Sequence, residues 1–576
     1  MKTKFLSSKQ NQIFSLFIIF YALHQFYYIF VGGTYWDEIN GILTTGRSIE
    51  KGILFFTDRN NPKVDTFLLY KEFYGNLVLL PAHFFSRYDF VKSIFVDIFR
   101  FENLYNNNNS VEIQFILRHM FLNVYVIGVL ILSYFKLSKM ETKNFALLTI
   151  IFLTLIPSFN GHGLFNLADI PLAMQFFLSS LYFVDYLKNF NENKSSKKTI
   201  FTIGFLFGLT VLTRINSYAF IFLIMLFGFY KILRYKINIK SYIYDCFVMG
   251  TVSIFVLIIG TPSFWPSPIK WTMGAFYGMF YHPWGGSTLT NGEFIFALET
   301  SPWYLLIWFL YKLPIIFHIL LIFGIFMIIN NKKLSLIFEF SIYFIIVIFI
   351  AYSIMRPTTY DGIRHYLFLF PFIAIASSYV VTNFFKNSEY KFIIASIIIV
   401  SYLVYTQFGL GPYKYVYFNE FTNEENITID CEEINGCGNW STDYWGYSGK
   451  ELINLTKKYD YDLIYYCEPG HAFTSYLETD SPWEVKNGVP AFDDESVWNQ
   501  ENIIYNKDRL YDLLDKYGQL NFLVTAPHRP QIESDTCGFF NIDKGFDIDC
   551  KLIDKVTRNL RNTEINLSFI HSCNIS

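Results

Sequence analysis

Long apolar runs, separated by short basic or polar stretches, dominate the first 405 residues of the chain. Their lengths approach the ~20 residues that a helix needs to cross a hydrocarbon core. A segment in lipid must be helical, because its backbone groups find no water to bond. The pattern therefore predicts a polytopic α-helical membrane protein. The eleven predicted spans are 13–31, 117–135, 145–156, 172–187, 200–212, 218–229, 246–260, 315–329, 338–352, 366–384 and 391–405.

Lys and Arg residues orient these spans. The N-terminus carries Lys2, Lys4 and Lys9, and five short loops are also basic. Such loops stay in the cytoplasm, and all six lie on one side when the spans are threaded in order. The N-terminus is therefore expected inside, and the outer loops 32–116 and 261–314 and the tail outside. A cleaved signal peptide ending at Gly32 and Gly33 is the alternative for the first span. The basic loops are 136–143, 188–198, 231–240, 330–333 and 386–391.

Composition and charge divide the chain into two parts. The whole chain is 52% hydrophobic and 20% aromatic, with a mean hydropathy of +0.29. Residues 411–576 carry 14 Lys and Arg against 28 Asp and Glu, whereas the remainder is basic. We therefore expect a transmembrane domain at 1–410 and an acidic extracytoplasmic domain at 411–576. An acidic tail also argues against nucleic-acid binding.

Six of the seven cysteines lie in this tail, and Cys246 lies in a predicted span. An even number of cysteines in an exported domain indicates disulfides, although six separate thiols are the alternative. No paired CxxC elements support a zinc site. The tail cysteines are Cys431, Cys437, Cys467, Cys537, Cys550 and Cys573.

The tail also shows a repeated helix–strand order. Helical spacing at 449–459 precedes a strand-like run at 461–467, and the same order recurs at 509–518 and 521–526. This alternation predicts a small α/β module.

Ionisable groups at a membrane border are costly to bury and commonly face a cavity or a substrate pathway. On the predicted threading, five polar clusters emerge on the outer side. Their mixture of acidic and basic groups suits a site that deprotonates a nucleophile and neutralises an anion. The clusters are "YWDE" with Asp37 and Glu38, "YKEFYG" with Lys71, "GHGLFNLADIP" with His162, Asn166 and Asp169, "LTRINS" with Arg214, and "RPTTYDGIRHYLF" with Asp361, Arg364 and His365.

In order along the chain, these motifs resemble the GT-C membrane glycosyltransferases of the dolichyl-phosphate-mannose–protein mannosyltransferase type. The resemblance rests on Asp37-Glu38 and the quoted motifs, with "GFLFGLTVLTRIN", "SPWYLLIWFLYKLP", "GPYKYVYFNE" and "TDYWGYSGKEL". Where the family often has Lys-Pro-Pro, this chain has "KEF" at Lys71. The resemblance implies sugar transfer from a polyprenyl-phosphate carrier on the outer face.

That chemistry assigns roles to the clusters. An acceptor hydroxyl needs a carboxylate base as it attacks the anomeric carbon, whereas the leaving phosphate needs cationic neutralisation. A divalent metal, Mg or Mn, is possible. The expected catalytic residues are Asp37, Glu38 and Asp169; the carrier-phosphate residues are Lys71, Arg214, Arg364 and His365; the acceptor or sugar residues are His162, Asn166, Asp361 and, in an aromatic stretch, His282.

Structural explanations stay open for several of these residues. Asp37 and Glu38 are alternatively solvated residues at a helix end, and Asp169 is alternatively a helix cap. Arg364 and His365 are alternatively an interfacial pair whose charges reach the membrane surface.

The expected partners are a polyprenyl-phosphate-linked sugar, membrane lipids, and a protein, lipid or glycan acceptor, with no nucleic acid. The expected location is a prokaryotic plasma (inner) membrane. The alternative function is a transporter or flippase. A transporter of this kind is expected to show internal repeats and ionisable groups at mid-membrane. A membrane-anchored receptor or scaffold would not need eleven spans with charged outer junctions.

Overall fold

The structure of the protein is a computed structural model. The residues that it describes are 8–65, 76–87, 110–191, 196–235, 238–280, 285–330, 334–423, 427, 439–459, 464–466, 503–504, 520–527 and 548–575.

Helices make up most of this described part. They are α1 Lys9–Val31, α2 Trp36–Thr57, α3 Pro62–Asp65, α4 Asn76–Arg87, α5 Ser110–Met140, α6 Lys143–Leu155, α7 Pro157–His162, α8 Asp169–Asn191, α9 Lys197–Thr213, α10 Ser217–Tyr235, α11 Ile239–Gly260, α12 Pro268–Phe280, α13 Tyr304–Lys312, α14 Ile315–Asn330, α15 Leu336–Met355, α16 Phe370–Phe384, α17 Glu389–Tyr405 and α18 Gly449–Thr456. Short 3-10 turns lie at Pro262–Phe264, Arg364–Leu369, Phe408–Leu410 and Lys414–Val416.

Each of the eleven predicted spans falls on a helix. Within the described residues, eight helices are long and apolar enough to cross a membrane, and a bent pair, α13 with α14, gives a ninth. The two others, α6 and α9, have 13 and 17 residues and are shorter than a full crossing. The prediction of a polytopic helical membrane protein is confirmed, with eight or nine full spans where eleven were expected.

Polar caps begin several helices at the predicted cytoplasmic loops. Thr142, Ser196, Asn238 and Ser388 each accept a hydrogen bond from the backbone N–H three residues later, at 3.2–3.4 Å. Each cap satisfies a donor that the first turn leaves open, worth about 1 kcal/mol. These helix starts are therefore encoded locally.

Two helices form the centre of the bundle. In α8, 89% of the span is buried, and in the helix of Arg364–Phe384, 83% is buried, whereas α11 and α17 are buried over only 22%. Both central helices begin at a charged residue, Asp169 and Arg364. The packing of the two most buried helices therefore brings an acid and a base together at one end of the bundle.

The bent pair is explained by its sequence. Pro314 follows α13, and the residue before it, Leu313, is extended (φ −97°, ψ 129°), because proline disfavours helical backbone at the preceding position. The helix axis bends by 118° between α13 and α14. Asn419 donates to the freed carbonyls of Leu310 and Leu313, so the "GPYKYVYFNE" stretch packs into the bend.

The described strands form a hairpin in an outer loop and a C-terminal sheet. They are β1 Ser287–Thr290, β2 Glu293–Phe296, β3 Ile464–Tyr466, β4 Ile503–Ile504, β5 Leu520–Pro527, β6 Ile548–Leu560 and β7 Thr563–Ile575. The C-terminal sheet has the order β4-β3-β5-β7-β6, with β3 parallel to β4 and β5 and the other pairs antiparallel.

A C-terminal α/β module is thus confirmed. Helix α18 and strands β3 and β5 match their predicted positions, whereas the predicted helix 509–518 lies outside the described residues. A disulfide joins Cys550 to Cys573 across β6 and β7. The other tail cysteines lie outside the described residues, and Cys246 is a free thiol. The domain boundary near residue 410 stays a prediction.

Candidate active site

The adjacent carboxylates Asp37 and Glu38 lie in the first turn of α2, where negative charge suits the helix N-terminus. They face different surroundings. The Asp37 side chain is 41% exposed, and its Oδ2 lies 3.2 Å from Nη1 of Arg364. The Glu38 side chain is 0% exposed. Of the two, only Asp37 is open to a ligand.

Glu38 belongs to a buried ion-pair cluster. Its Oε1 accepts from Nε of Arg118 at 2.9 Å, and its Oε2 lies 2.6 Å from Nε2 of His119. Burial raises the pKa of Glu38, but the neighbouring His119 ring and Arg118 guanidinium outweigh that effect and lower it. Glu38 is therefore an ionised carboxylate that anchors α2 to α5.

Arg364 is the centre of a second cluster, which includes Asp37. Besides Asp37, its Nη1 lies 3.8 Å from Oδ2 of Asp169, and its Nε lies 3.1 Å from Oδ2 of Asp361. Its guanidinium lies over the rings of Tyr360 and Trp445, at 4.7 and 4.6 Å from their centroids. Three carboxylates and two aromatic rings therefore hold this buried cation.

Asp169 joins a second cation to the cluster. Its Oδ1 lies 2.6 Å from Nη2 of Arg214, and its Oδ2 accepts from Asn166 at 2.9 Å. Asn166 in turn caps α8, because its side-chain oxygen accepts from the backbone N–H of Asp169 at 2.8 Å. The helix cap is thus Asn166, and the Asp169 carboxylate is turned to the two arginines.

His162 lies behind Asn166. Its Nε2 is 2.8 Å from the Tyr444 hydroxyl, and Asn166 reaches its Nδ1 at 3.3 Å. Burial lowers the pKa of His162 well below its usual value, and the charges of Arg364 and Lys312 lower it further. A neutral ring that accepts from Asn166 at Nδ1 donates to Tyr444 from Nε2.

Asp361 reaches the cluster from a left-handed turn. Its φ is 56°, and Gly362 follows with a φ of 69°. A Cβ at Gly362 would come within 3.0 Å of the Trp308 ring. Such backbone is uncommon for a residue with a side chain and marks positions that the surrounding structure fixes.

The structure thus brings together seven of the predicted site residues. His365 lies beside this group, with its ring edge-on to Tyr360 at 4.8 Å. Lys71 and His282 lie outside the described residues. The seven are Asp37, His162, Asn166, Asp169, Arg214, Asp361 and Arg364.

Sequence reasoning did not single out Arg118, His119, Tyr444 or Trp445. Arg118 and His119 lie at the start of a predicted span, where a charged pair inside an apolar run is itself a signal. Tyr444 and Trp445 lie in "TDYWGYSGKEL", which contributed to the resemblance only as a motif.

No group of three or more His, Cys, Asp or Glu side chains within the described ranges is arranged to hold a metal ion. Asp37, Asp169 and Asp361 each have an arginine partner instead.

Comparisons with known proteins show a likeness to solved structures. No family model matches the chain, and no curated protein matches it. Among solved structures, the chain is similar to the crystal structure of ArnT from Cupriavidus metallidurans bound to undecaprenyl phosphate. The TM-score is 0.47 and the sequence identity 10%, over 98% of each chain.

Proposed function

We propose that the protein is a membrane glycosyltransferase that moves a sugar from a polyprenyl-phosphate carrier to an acceptor hydroxyl. One observation carries this proposal. Of the three carboxylates around Arg364, Asp37 has a side chain that is 41% exposed, whereas those of Asp169 and Asp361 are 3% and 2% exposed. A single accessible carboxylate beside the buried Arg364 suits a general base next to an anionic donor.

Asp37 takes the proton of the acceptor hydroxyl as that oxygen attacks the anomeric carbon. The bond between the anomeric carbon and the phosphate oxygen breaks, and its electron pair leaves on the polyprenyl phosphate. A hydroxyl is a poor nucleophile at neutral pH, so a base at hydrogen-bond distance is required. Phosphate is a good leaving group and needs cations more than an acid.

Arg364 and Arg214 supply those cations in this proposal. Both already bind carboxylates, since Arg364 contacts Asp37 and Arg214 contacts Asp169. Lys71 and His365 stay further candidates for the phosphate, and His162, Asn166, Asp361 and His282 for the acceptor or the sugar. Asp169 is a further catalytic candidate, whereas the burial of Glu38 favours an anchoring role.

We propose further that the site and the C-terminal module face outside a prokaryotic plasma membrane. The basic loops and the acidic tail support that orientation. The acceptor is a protein, a lipid or a glycan.

The experiment uses purified protein in proteoliposomes with a polyprenyl phosphate that carries a radiolabelled sugar. Candidate acceptors are added from the side of the tail. We expect free polyprenyl phosphate to form in the same amount as labelled acceptor product. Movement of intact donor between leaflets without cleavage would identify a flippase instead and would overturn the proposal.

A further inference from the structure

The segment of residues 439–448 extends from the C-terminal part of the chain into the arginine cluster. Asp443, which is buried, anchors it by accepting from the backbone N–H groups of Tyr447 and Ser448, both at 2.9 Å, and from the Tyr415 hydroxyl. Thr442 donates to the Asn566 carbonyl on β7 at 2.6 Å. The segment thus ties the C-terminal sheet to the site.

Trp445 lies at the centre of a stack of four side chains. Tyr35 stacks on its ring at 4.9 Å with an interplanar angle of 26°. The Arg364 guanidinium lies 4.6 Å from the Trp445 centroid and also 4.7 Å from that of Tyr360. Guanidinium groups bind favourably to aromatic faces, and most strongly to tryptophan.

This stack links Arg364 to the start of the helix that carries Asp37. Tyr35 is the N-cap residue of α2, two positions before Asp37. Nε1 of Trp445 also donates to Oδ2 of Asp361 at 3.2 Å, the same oxygen that lies 3.1 Å from Nε of Arg364. Trp445 therefore contacts the start of the helix that carries Asp37, the guanidinium itself, and a second carboxylate partner of that guanidinium.

We propose that Trp445 is a positioning residue that sets the geometry between Asp37 and Arg364, so that the C-terminal part of the chain completes the active site. The inference rests on the proposed function for its activity readout. Trp445 does not touch the reacting atoms in this account; it acts through Arg364 and Tyr35. The observation behind it is the Tyr35–Trp445–Arg364 stack together with the bond to Asp361.

Trp445→Phe tests the role with the least disturbance. Phenylalanine keeps an aromatic face for Arg364 but lacks the indole N–H that binds Asp361. Loss of a hydrogen bond to a charged group is expected to lower kcat roughly 10-fold. Trp445→Ala, which also removes the stack, should lower it further, by about 100-fold. Donor KM should change less than kcat, since the residue places the base.

Trp440→Phe is the matched control. Trp440 is equally buried in the same segment, and its ring packs on Trp308 and Phe418 without an Arg364 contact in the described structure. We expect wild-type kcat within about twofold, as for a substitution outside the coupled group. An equal decrease of kcat in Trp440→Phe and Trp445→Phe would overturn the inference, because it would show only general damage to the segment of residues 439–448.

A double-mutant cycle with Arg364→Lys tests whether Trp445 acts through Arg364. The effects of Trp445→Phe and Arg364→Lys on kcat should be strongly non-additive, since they disturb one contact. If the fold-changes in kcat of the two single variants simply multiply in the double variant, the proposal is contradicted.

The same cycle, followed by thermal unfolding in detergent, needs no donor. In thermal unfolding, the Tm shifts of the two single variants should also be non-additive in the double variant. Additive shifts would contradict an energetic coupling between Trp445 and Arg364. Inactive wild-type protein would refute the proposed function, while the unfolding cycle would still show whether Trp445 and Arg364 are energetically coupled.

Discussion

Glu38 offers a sharp test, because sequence reasoning placed it with Asp37 in the active site and the structure buries it between Arg118 and His119. Glu38→Gln keeps the shape of the side chain and removes its charge. The Arg118 guanidinium, 0% exposed, would then lack its carboxylate. Breaking a buried ion pair by removing one partner costs roughly 3–5 kcal/mol.

Glu50→Gln is the matched control on the same helix. Glu50 pairs with Lys63 at 2.9 Å, but the two side chains are 30% and 65% exposed. An exposed pair of this kind contributes less than about 1 kcal/mol. The Tm of Glu38→Gln in detergent should therefore fall clearly, whereas that of Glu50→Gln should stay near wild type.

The pH dependence of this difference follows from the lowered pKa of Glu38. A carboxylate with a depressed folded-state pKa stabilises the fold above its ordinary value of 4.5 and loses that contribution as pH falls through the folded-state pKa. The Tm gap between wild type and Glu38→Gln should be steady near neutral pH and should narrow below 4.5.

Turnover per folded molecule completes the assay. We expect Glu38→Gln to retain more turnover than Asp37→Asn, since Glu38 holds α2 through Arg118 and His119 and makes no ion pair with Arg364. A Glu38→Gln protein with wild-type Tm and no turnover would refute the anchoring role and would make Glu38 part of the chemistry.

Three further predictions concern the carrier, a buried lysine and the orientation. Arg364→Ala should raise donor KM roughly 10- to 100-fold and Arg364→Lys much less, because lysine keeps the charge; an unchanged KM in Arg364→Ala would reduce Arg364 to a structural residue. Burial lowers the pKa of Lys414 to about 7. Between about pH 7 and pH 10 this lysine is therefore protonated in the unfolded chain and neutral in the folded protein. Over that range the free energy of unfolding of the wild type should rise with pH by up to about 1.4 kcal/mol per pH unit. Lys414→Met should lack this rise in pH-dependent unfolding, and the same slope in both proteins would contradict the assignment. After mild reduction, an impermeant thiol reagent should label the tail on intact cells, and labelling only from the cytoplasmic side would reverse the orientation.

The helices could be predicted because each depends on a local property of the sequence. An apolar run predicts a helix in lipid wherever it occurs, and caps such as Thr142 and Ser196 fix helix starts within a few residues. The apolar runs at 145–156 and 200–212 were already short in the sequence, and the helices found there, α6 and α9, have 13 and 17 residues.

The site could be predicted in part. Asp37, Asp169 and Arg364 stand at the ends of apolar runs, so the threading of spans was enough to place them on one side. Their contacts, however, join residues as far as 327 positions apart. Trp445 could not be predicted from the sequence, because its role depends on the packing of the tail against Tyr35. No local sequence pattern indicates such a contact.

Asp37→Asn tests whether Asp37 is the general base. The amide keeps the shape of the side chain but cannot take the acceptor proton, and Asp58→Asn at the end of α2 is the exposed control. Single-turnover transfer from a polyprenyl-phosphate sugar is measured in proteoliposomes, with donor affinity determined in parallel. We expect a rate lower by about 10²–10⁴-fold in Asp37→Asn with donor affinity nearly kept, and no change in Asp58→Asn. Near wild-type transfer by Asp37→Asn would contradict the assignment of the base and, with it, the proposed mechanism.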